Sequence, residues 1–219
     1  MTGGTVARVE DSRIARRRAA AKEQSSSHYT ERRRDVVKAA ASVFKSLGVA
    51  TTSINDVGRA ANIDRATIYY YFSSKDELFE AVVMDALVEN VEMAERLAAK
   101  SDSVDKRLGE LIRGLMQSYE EYYPHLYVFL QDGGSAKPDS DIAGLTRRFN
   151  KATIAIIEQG IADGIFRDDL SPRVVAYGIL GMVNWTHRWY DRSGSLSAEQ
   201  VAGEFVALVE HGLLRQAQP

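Results

Sequence analysis

The chain has 219 residues, no cysteine and a formal net charge of −2, with 45% hydrophobic and 26% charged residues. This is the composition of a globular protein with a sizeable core; it excludes disulfides and thiolate metal sites, and no apolar run reaches the roughly 18 residues of a membrane span. With no signal-type apolar stretch at the N-terminus, a cytoplasmic location is expected.

Charge is unevenly placed. Residues 1–78 carry 14 Lys+Arg against 9 Asp+Glu, and the remainder 14 against 21, so the basic end is the candidate partner of a polyanion. Residues 1–27 are polar, arginine-rich and poor in large apolar groups, which predicts a flexible arm. Its Arg16, Arg17 and Arg18 suit a phosphate backbone or a minor groove, or form a solvated tail.

From Thr30 a helix is expected, with Val36, Val37, Ala40, Val43, Phe44 and Leu47 recurring at spacings of three and four until Gly48 ends it. Thr52 is the expected N-cap of a second, short helix that turns Ile54, Val57 and Ala60 or Ala61 inward. "ANID" then turns the chain, Asp64 caps a third helix from Arg65 to about Phe72, and Ser73 or Ser74 starts a fourth. Two short helices, a four-residue turn and a longer brace form a helix-turn-helix, spanning residues 28–75.

The third helix carries Tyr69, Tyr70 and Tyr71 in a row. Three consecutive helical residues point in three directions, so packing alone does not account for them. With Ile68 and Phe72 on the inner face, Arg65, Thr67 and the tyrosines are spread over the outer faces, with Tyr69 or Tyr71 open to a partly buried role. In a major groove Arg65 would read guanine, the Thr67 methyl would touch thymine, and tyrosine hydroxyls would bond phosphates. Thr52 and Lys75 begin the second and fourth helices, where free N–H groups and the helix dipole favour a phosphate oxygen.

The stretch TTSINDVGRAANIDRATIYYYFSSKDELFEAVV, residues 51–83, resembles the DNA-binding signature of the tetracycline-repressor (TetR) family of bacterial transcriptional regulators. The Thr-Ile-Tyr step, Phe72, Ser-Lys and Glu-Leu fall in order. The resemblance implies an all-α homodimer of about nine helices per chain, a C-terminal domain binding a small effector, and release of double-stranded operator DNA on effector binding. It also implies that Thr52, Arg65, Ala66, Thr67, Tyr69, Tyr70 and Lys75 contact DNA. The arginine-rich arm departs from that pattern.

Residues 76–219 read as an effector-binding and dimerisation domain of long helices. Leu78, Phe79, Val82, Val83, Leu87 and Val91 mark the fourth helix; Val104, Leu108, Leu111, Ile112, Leu115, Tyr119 and Tyr122 mark the fifth. A short aromatic helix, "HLYVFL", follows, then a seventh from about Asp139 to Asp163. The eighth is apolar nearly all round from Val174 to Trp189, and the ninth carries Val201, Phe205, Leu208, Val209 and Leu213. A helix apolar on all sides must be covered on two; the last two helices therefore predict a four-helix interface between two subunits, or else the interior of a monomer.

The aromatic residues Tyr119, Tyr122, Tyr123, Tyr127, Phe129, Phe149 and Trp185 suit an effector pocket, or aromatic core packing. The segment NWTHRWYDRSGSLSAEQVA is similar to the end of TetR-type regulators that respond to acyl-CoA thioesters. That similarity implies that Arg147, Arg148 or Arg188 meets effector phosphates or a carboxylate, the reading as surface charges remaining open.

His28, His125, His187 and His211 are scattered, with no metal-binding pair on a helix face, and no nucleophile elbow or phosphate loop is present. No catalytic residue, metal or cofactor is expected. The alternative to an effector-released repressor is a DNA-binding protein without an effector.

Overall fold

A computed structural model of the chain describes residues 27–132 and 137–214. The expected arm lies outside the described residues except for Ser27, which opens the first helix. Nine α-helices stand among the described residues: α1 at 27–47, α2 Ile54–Ala61, α3 Arg65–Tyr71, α4 Lys75–Ala99, α5 Val104–Glu121, α6 His125–Asp132, α7 Asp141–Ala162, α8 Pro172–Asn184 and α9 Ala198–Leu213. A 3-10 turn, Trp185–Arg188, follows α8. The all-α class is thus as expected.

Side-chain caps place the boundaries of the short helices. Ser53, and not Thr52, caps α2 in a capping box with Asp56, because the Thr52 hydroxyl is turned inward to donate to Gly48 O at 2.7 Å. Asp64 Oδ1 accepts from Thr67 N at 2.7 Å to start α3, and Ser74 Oγ accepts from Glu77 N at 3.1 Å to start α4. Gly58 permits the turn between α2 and α3: a Cβ there would stand 2.9 Å from Ile63 O, and Ile63 N donates to Gly58 O.

Two apolar clusters hold the helices together. The first joins α1, α2 and α3 through Val36, Phe44, Val57, Ile68 and Phe72 to the first half of α4 and onward to Leu126 and Val128 of α6 and Ile142 of α7. The second packs the rest of α4 and α5 with α7, α8 and α9. Packing therefore runs through α4 without a break at residue 75. Leu47, expected inward, is 52% exposed, since it lies in the last turn of α1 beyond that cluster. Ala60 is exposed and Ala61 half-buried, so Ala61 is the inward member of that pair. The eighth helix stops at Asn184 instead of running to Trp189, because Thr186 Oγ1 and His187 Nδ1 bond the carbonyls of Val183 and Asn184 three residues back.

The caps make the starts of α2, α3 and α4 acid-labile. Hydrogen bonds from Ser53, from Thr67 and from Ser73 hold the carboxyls of Asp56, Asp64 and Glu77, respectively, below the usual range. A carboxylate held low in the folded state contributes stability that is fully present above its unfolded pKa and is lost as pH falls through its folded value. Protection of α2 and α3 amides against hydrogen exchange, relative to their intrinsic rate at each pH, is therefore expected to fall below about pH 4, the ordinary carboxylate range, before that of α8 and α9. Equal protection of both regions at low pH would contradict this.

Candidate nucleic-acid interface and ligand cavity

The outer face of α3 is open because its inner face is fixed. Ile68 and Phe72 are 0% and 1% exposed, whereas Tyr69 and Tyr70 are 42% and 71% exposed. Arg65 and Ala66 are also exposed and Thr67 is half-buried. Arg65 Nη2 donates to Tyr69 OH at 3.2 Å, and its guanidinium lies 5.3 Å from the Tyr69 ring centre, a helical i,i+4 pair that pre-orients the arginine.

Tyr71 is half-buried and does not join that face. It packs on Tyr29 of α1, with ring centres 5.0 Å apart, while Tyr29 meets the Tyr70 ring at 5.8 Å. Tyr29 therefore steadies the exposed Tyr70. Sequence reading misses it, since it lies outside the helix-turn-helix stretch and nothing local couples it to position 70.

Two expected phosphate contacts are placed differently. Lys75 Nζ donates to the carbonyls of Val49, Ala50 and Thr52 at 2.8, 3.2 and 3.1 Å, which takes up all three ammonium donors inside the fold. Thr52 is 3% exposed, with its hydroxyl bound to Gly48 O. Both hold the α1–α2 connection in shape; the backbone starts of α2 and α4 remain beside α3. The same connection is tied to α6, where Asp132 Oδ2 accepts from Val49 N at 3.4 Å.

A cavity of about 130 Å³ lies among α4, α5, α6, α7 and α8. Of the residues expected to bind an effector, Tyr119, Phe129 and Phe149 line it. Its walls also include Leu87, Val91, Leu115, Leu126, Leu130, Leu145, Leu180 and Val183, with polar groups from Asn90, Thr146, Asn150, Asn184 and Thr186. Burial pushes the Tyr119 phenol well above its ordinary pKa, so it stays protonated.

The other expected effector residues are elsewhere. Tyr122 hydrogen-bonds Glu89, which pushes its phenol up to about 12. The Tyr123 ring is held between Lys45 at 4.7 Å and Arg192 at 4.5 Å. Arg148 forms a two-pronged pair with Glu95 of α4, at 2.9 and 2.7 Å, so its charge is already answered on the surface. Arg147 donates to Pro138 O. Trp185 is 60% exposed with Arg188 5.7 Å from its ring centre, and neither is among the residues lining the cavity.

Trp185 belongs instead to an open apolar stripe. Val174, Tyr177 and Trp189 are exposed along and beyond α8, as is Leu208 on α9. Gly178, Gly181, Gly203 and Gly212 have nothing within 4 Å of where a Cβ would stand. Inward, α8 buries Ala176, Ile179, Leu180 and Val183.

Residues 36–82 match the family model "Bacterial regulatory proteins, tetR family", and residues 101–213 match "Tetracyclin repressor-like, C-terminal domain". The chain belongs to the TetR family. This TetR-family chain is a DNA-binding transcriptional regulator and not an enzyme. It is 27% identical over 183 residues to the HTH-type transcriptional repressor KstR2 of Mycolicibacterium smegmatis, covering 82% of this chain and 89% of the relative. It is 24% identical over 186 residues to KstR2 of Mycobacterium tuberculosis, covering 83% and 92%. Among solved structures, PfmR from Thermus thermophilus aligns with a TM-score of 0.73 at 28% identity, over 82% of this TetR-family chain and 99% of that one. AibR, solved with isovaleryl coenzyme A and operator DNA, aligns at 0.72 and 20% identity over 81% and 97%, a likeness of fold. Among the described residues no helix is long and apolar enough to cross a membrane and no acidic, histidine or cysteine cluster could hold a metal.

Proposed function

We propose that the chain is a cytoplasmic homodimeric repressor that sets one α3 into each half-site of a roughly palindromic operator and is released by a small effector. The observation that carries the DNA reading is the exposed Arg65–Tyr69–Tyr70 face on a short helix whose opposite face is sealed by Ile68 and Phe72. Curated relatives spanning most of the chain are repressors, which supports repression over activation. In the groove, Arg65 and Thr67 face bases, while Tyr69, Tyr70 and the backbone beside Ala66 meet the sugar–phosphate rails. Thr52 and Lys75 contribute by shaping the approach, with the first-turn N–H groups of α2 and α4 that the Ser53 and Ser74 caps do not use turned to phosphates. The head is residues 28–75 and the regulatory part 76–219.

Dimerisation is assigned to the open α8–α9 stripe, whose glycines let a partner helix approach closely. Effector binding is assigned to the cavity. Phe129 and Leu130 of α6 line it while Asp132 of the same helix holds Val49; Leu87 and Asn90 of α4 line it while Lys75 of that helix holds Val49, Ala50 and Thr52. An effector that prefers one arrangement of α4 and α6 therefore shifts the spacing of the two heads by its difference in affinity for the two states. An acyl-CoA effector would place only its acyl part in this space.

Tyr70→Ala tests the DNA reading. It is expected to weaken binding about equally for every operator variant at fixed salt, by about 1 to 2 kcal/mol for the lost phosphate bond and stacking, with Tyr70→Phe between. Undiminished affinity in Tyr70→Ala would contradict the proposed face. A DNA-binding protein without an effector would bind operator identically with and without every candidate ligand.

A further inference from the structure

The lining of the cavity names a ligand class, on the reading of that cavity as the effector site. Among its wall residues there is no Lys, Arg, His, Asp or Glu. Of the basic groups on the neighbouring segments, Arg148 is engaged by Glu95, Arg147 by Pro138 O, Arg192 by Glu120 and Arg188 by the Trp185 ring, while His187, whose Nδ1 meets Asn184 O and whose buried Nε2 has no partner, is not among the wall residues. An anion entering this space would lose its hydration and meet no compensating cation.

The polar groups that do line it are neutral and spread over three helices. Asn90 comes from α4, Asn150 from α7 and Asn184 from the end of α8. Among the described residues their side-chain amides have no hydrogen-bond partner. Each amide presents both a donor and an acceptor, so each suits a carbonyl or a hydroxyl, and their separation on three helices asks for oxygens that are themselves separated. Thr146 and Thr186 donate their protons to Ile142 O and Val183 O, leaving only acceptor lone pairs for a ligand hydroxyl. Apart from the Tyr119 phenol, everything between these points is Leu, Val and Phe.

We infer that the cavity takes a neutral, mainly hydrocarbon molecule bearing two or three separated carbonyl or hydroxyl oxygens, and that a free carboxylate or phosphate is kept out of it. Size agrees: one water needs about 10–15 Å³ of such space, so about 130 Å³ admits a compact molecule of roughly ten or more non-hydrogen atoms.

The test is calorimetric titration of the full chain with three probes on one carbon skeleton, decane-1,5-diol, methyl 5-hydroxydecanoate and the 5-hydroxydecanoate anion, with decanoyl coenzyme A as a fourth. The two neutral probes are expected to bind, with the anion at least about tenfold weaker for want of a cation in the wall. Asn90→Leu and Asn150→Leu are each expected to weaken the neutral probes several-fold while the ligand-free melting temperature is retained or raised, which separates lost recognition from lost folding. Failure of both neutral probes to bind, an anion bound as tightly as its ester, or variants that bind the neutral probes like the parent would overturn the inference. Operator release is read in parallel. Neutral probes that bind without releasing DNA would uphold this ligand class and sink the effector role, whereas release by decanoyl coenzyme A with no neutral probe bound would uphold the effector role and sink this class.

Discussion

Tyr177→Glu and Leu208→Glu, alone or combined, are expected to leave the chain as a folded 24.3 kDa monomer and to weaken operator binding by about 10²–10⁴-fold, the avidity two linked half-sites supply. Both side chains are largely open in the single chain, 44% and 64% exposed, so a carboxylate there disturbs no packing within the monomer. In a twofold interface the same positions meet their own copies or near neighbours, and each substitution buries a pair of like charges. The face is suited to that role because Val174 and Tyr177 of α8 are exposed while Ala176, Ile179, Leu180 and Val183 are buried, Trp185 and Trp189 beyond the helix are exposed as well, and Gly178 and Gly181 offer close backbone approach. Sedimentation of the parent at twice the monomer mass and of the variants at the monomer mass, alongside operator titration, checks both halves. Variants that remain dimeric with full affinity would move the interface elsewhere.

Lys75→Met is expected to act on the shape of the head and not on a phosphate. Its ammonium serves three carbonyls in the segment joining α1 to α2, and two of those contacts are part-buried. Stranding them costs about 1 to 3 kcal/mol, or about 2–4 °C of melting temperature per kcal/mol for a chain of this length. Operator affinity is expected to fall for all sequences alike, with the salt dependence unchanged. A lysine that neutralised a phosphate would instead reduce the salt slope by about 0.9 when removed, and that result would return Lys75 to the DNA contacts. Lys75→Arg restores little, since a planar fork does not converge on three carbonyls as an ammonium does.

The contrast between the two halves explains what the sequence makes legible. In the head, function and structure share a short stretch: Asp64 caps α3 three residues on, and the i,i+4 spacing of Ile68 and Phe72 marks its inner face, so its exposed face is readable from spacing. Spacing does not separate Thr52 from Ser53 as the cap, because adjacent hydroxyls carry the same local signal, and the deciding bond runs from Thr52 back to Gly48 O. In the bundle the deciding partners are distant. Arg148 resembles a ligand-binding group until Glu95, 53 residues away, is seen to take it. Asn90, Asn150 and Asn184 stand on three different helices, and only packing brings them to one cavity. Trp185 reads as a cavity aromatic because apolar periodicity continues past Asn184, whereas the 3-10 turn carries it to the outer stripe.

Whether the outer face of α3 reads base edges in a major groove is measured most directly by selection of binding sites from a randomised duplex pool by the parent chain and by Arg65→Ala. Arg65, held by Tyr69 at 3.2 Å, is expected to specify one position in each half-site, so the variant should lose preference at that symmetric pair alone, at about 1 to 3 kcal/mol per site. Identical selected sequences from both proteins would contradict the placement of α3 in the groove.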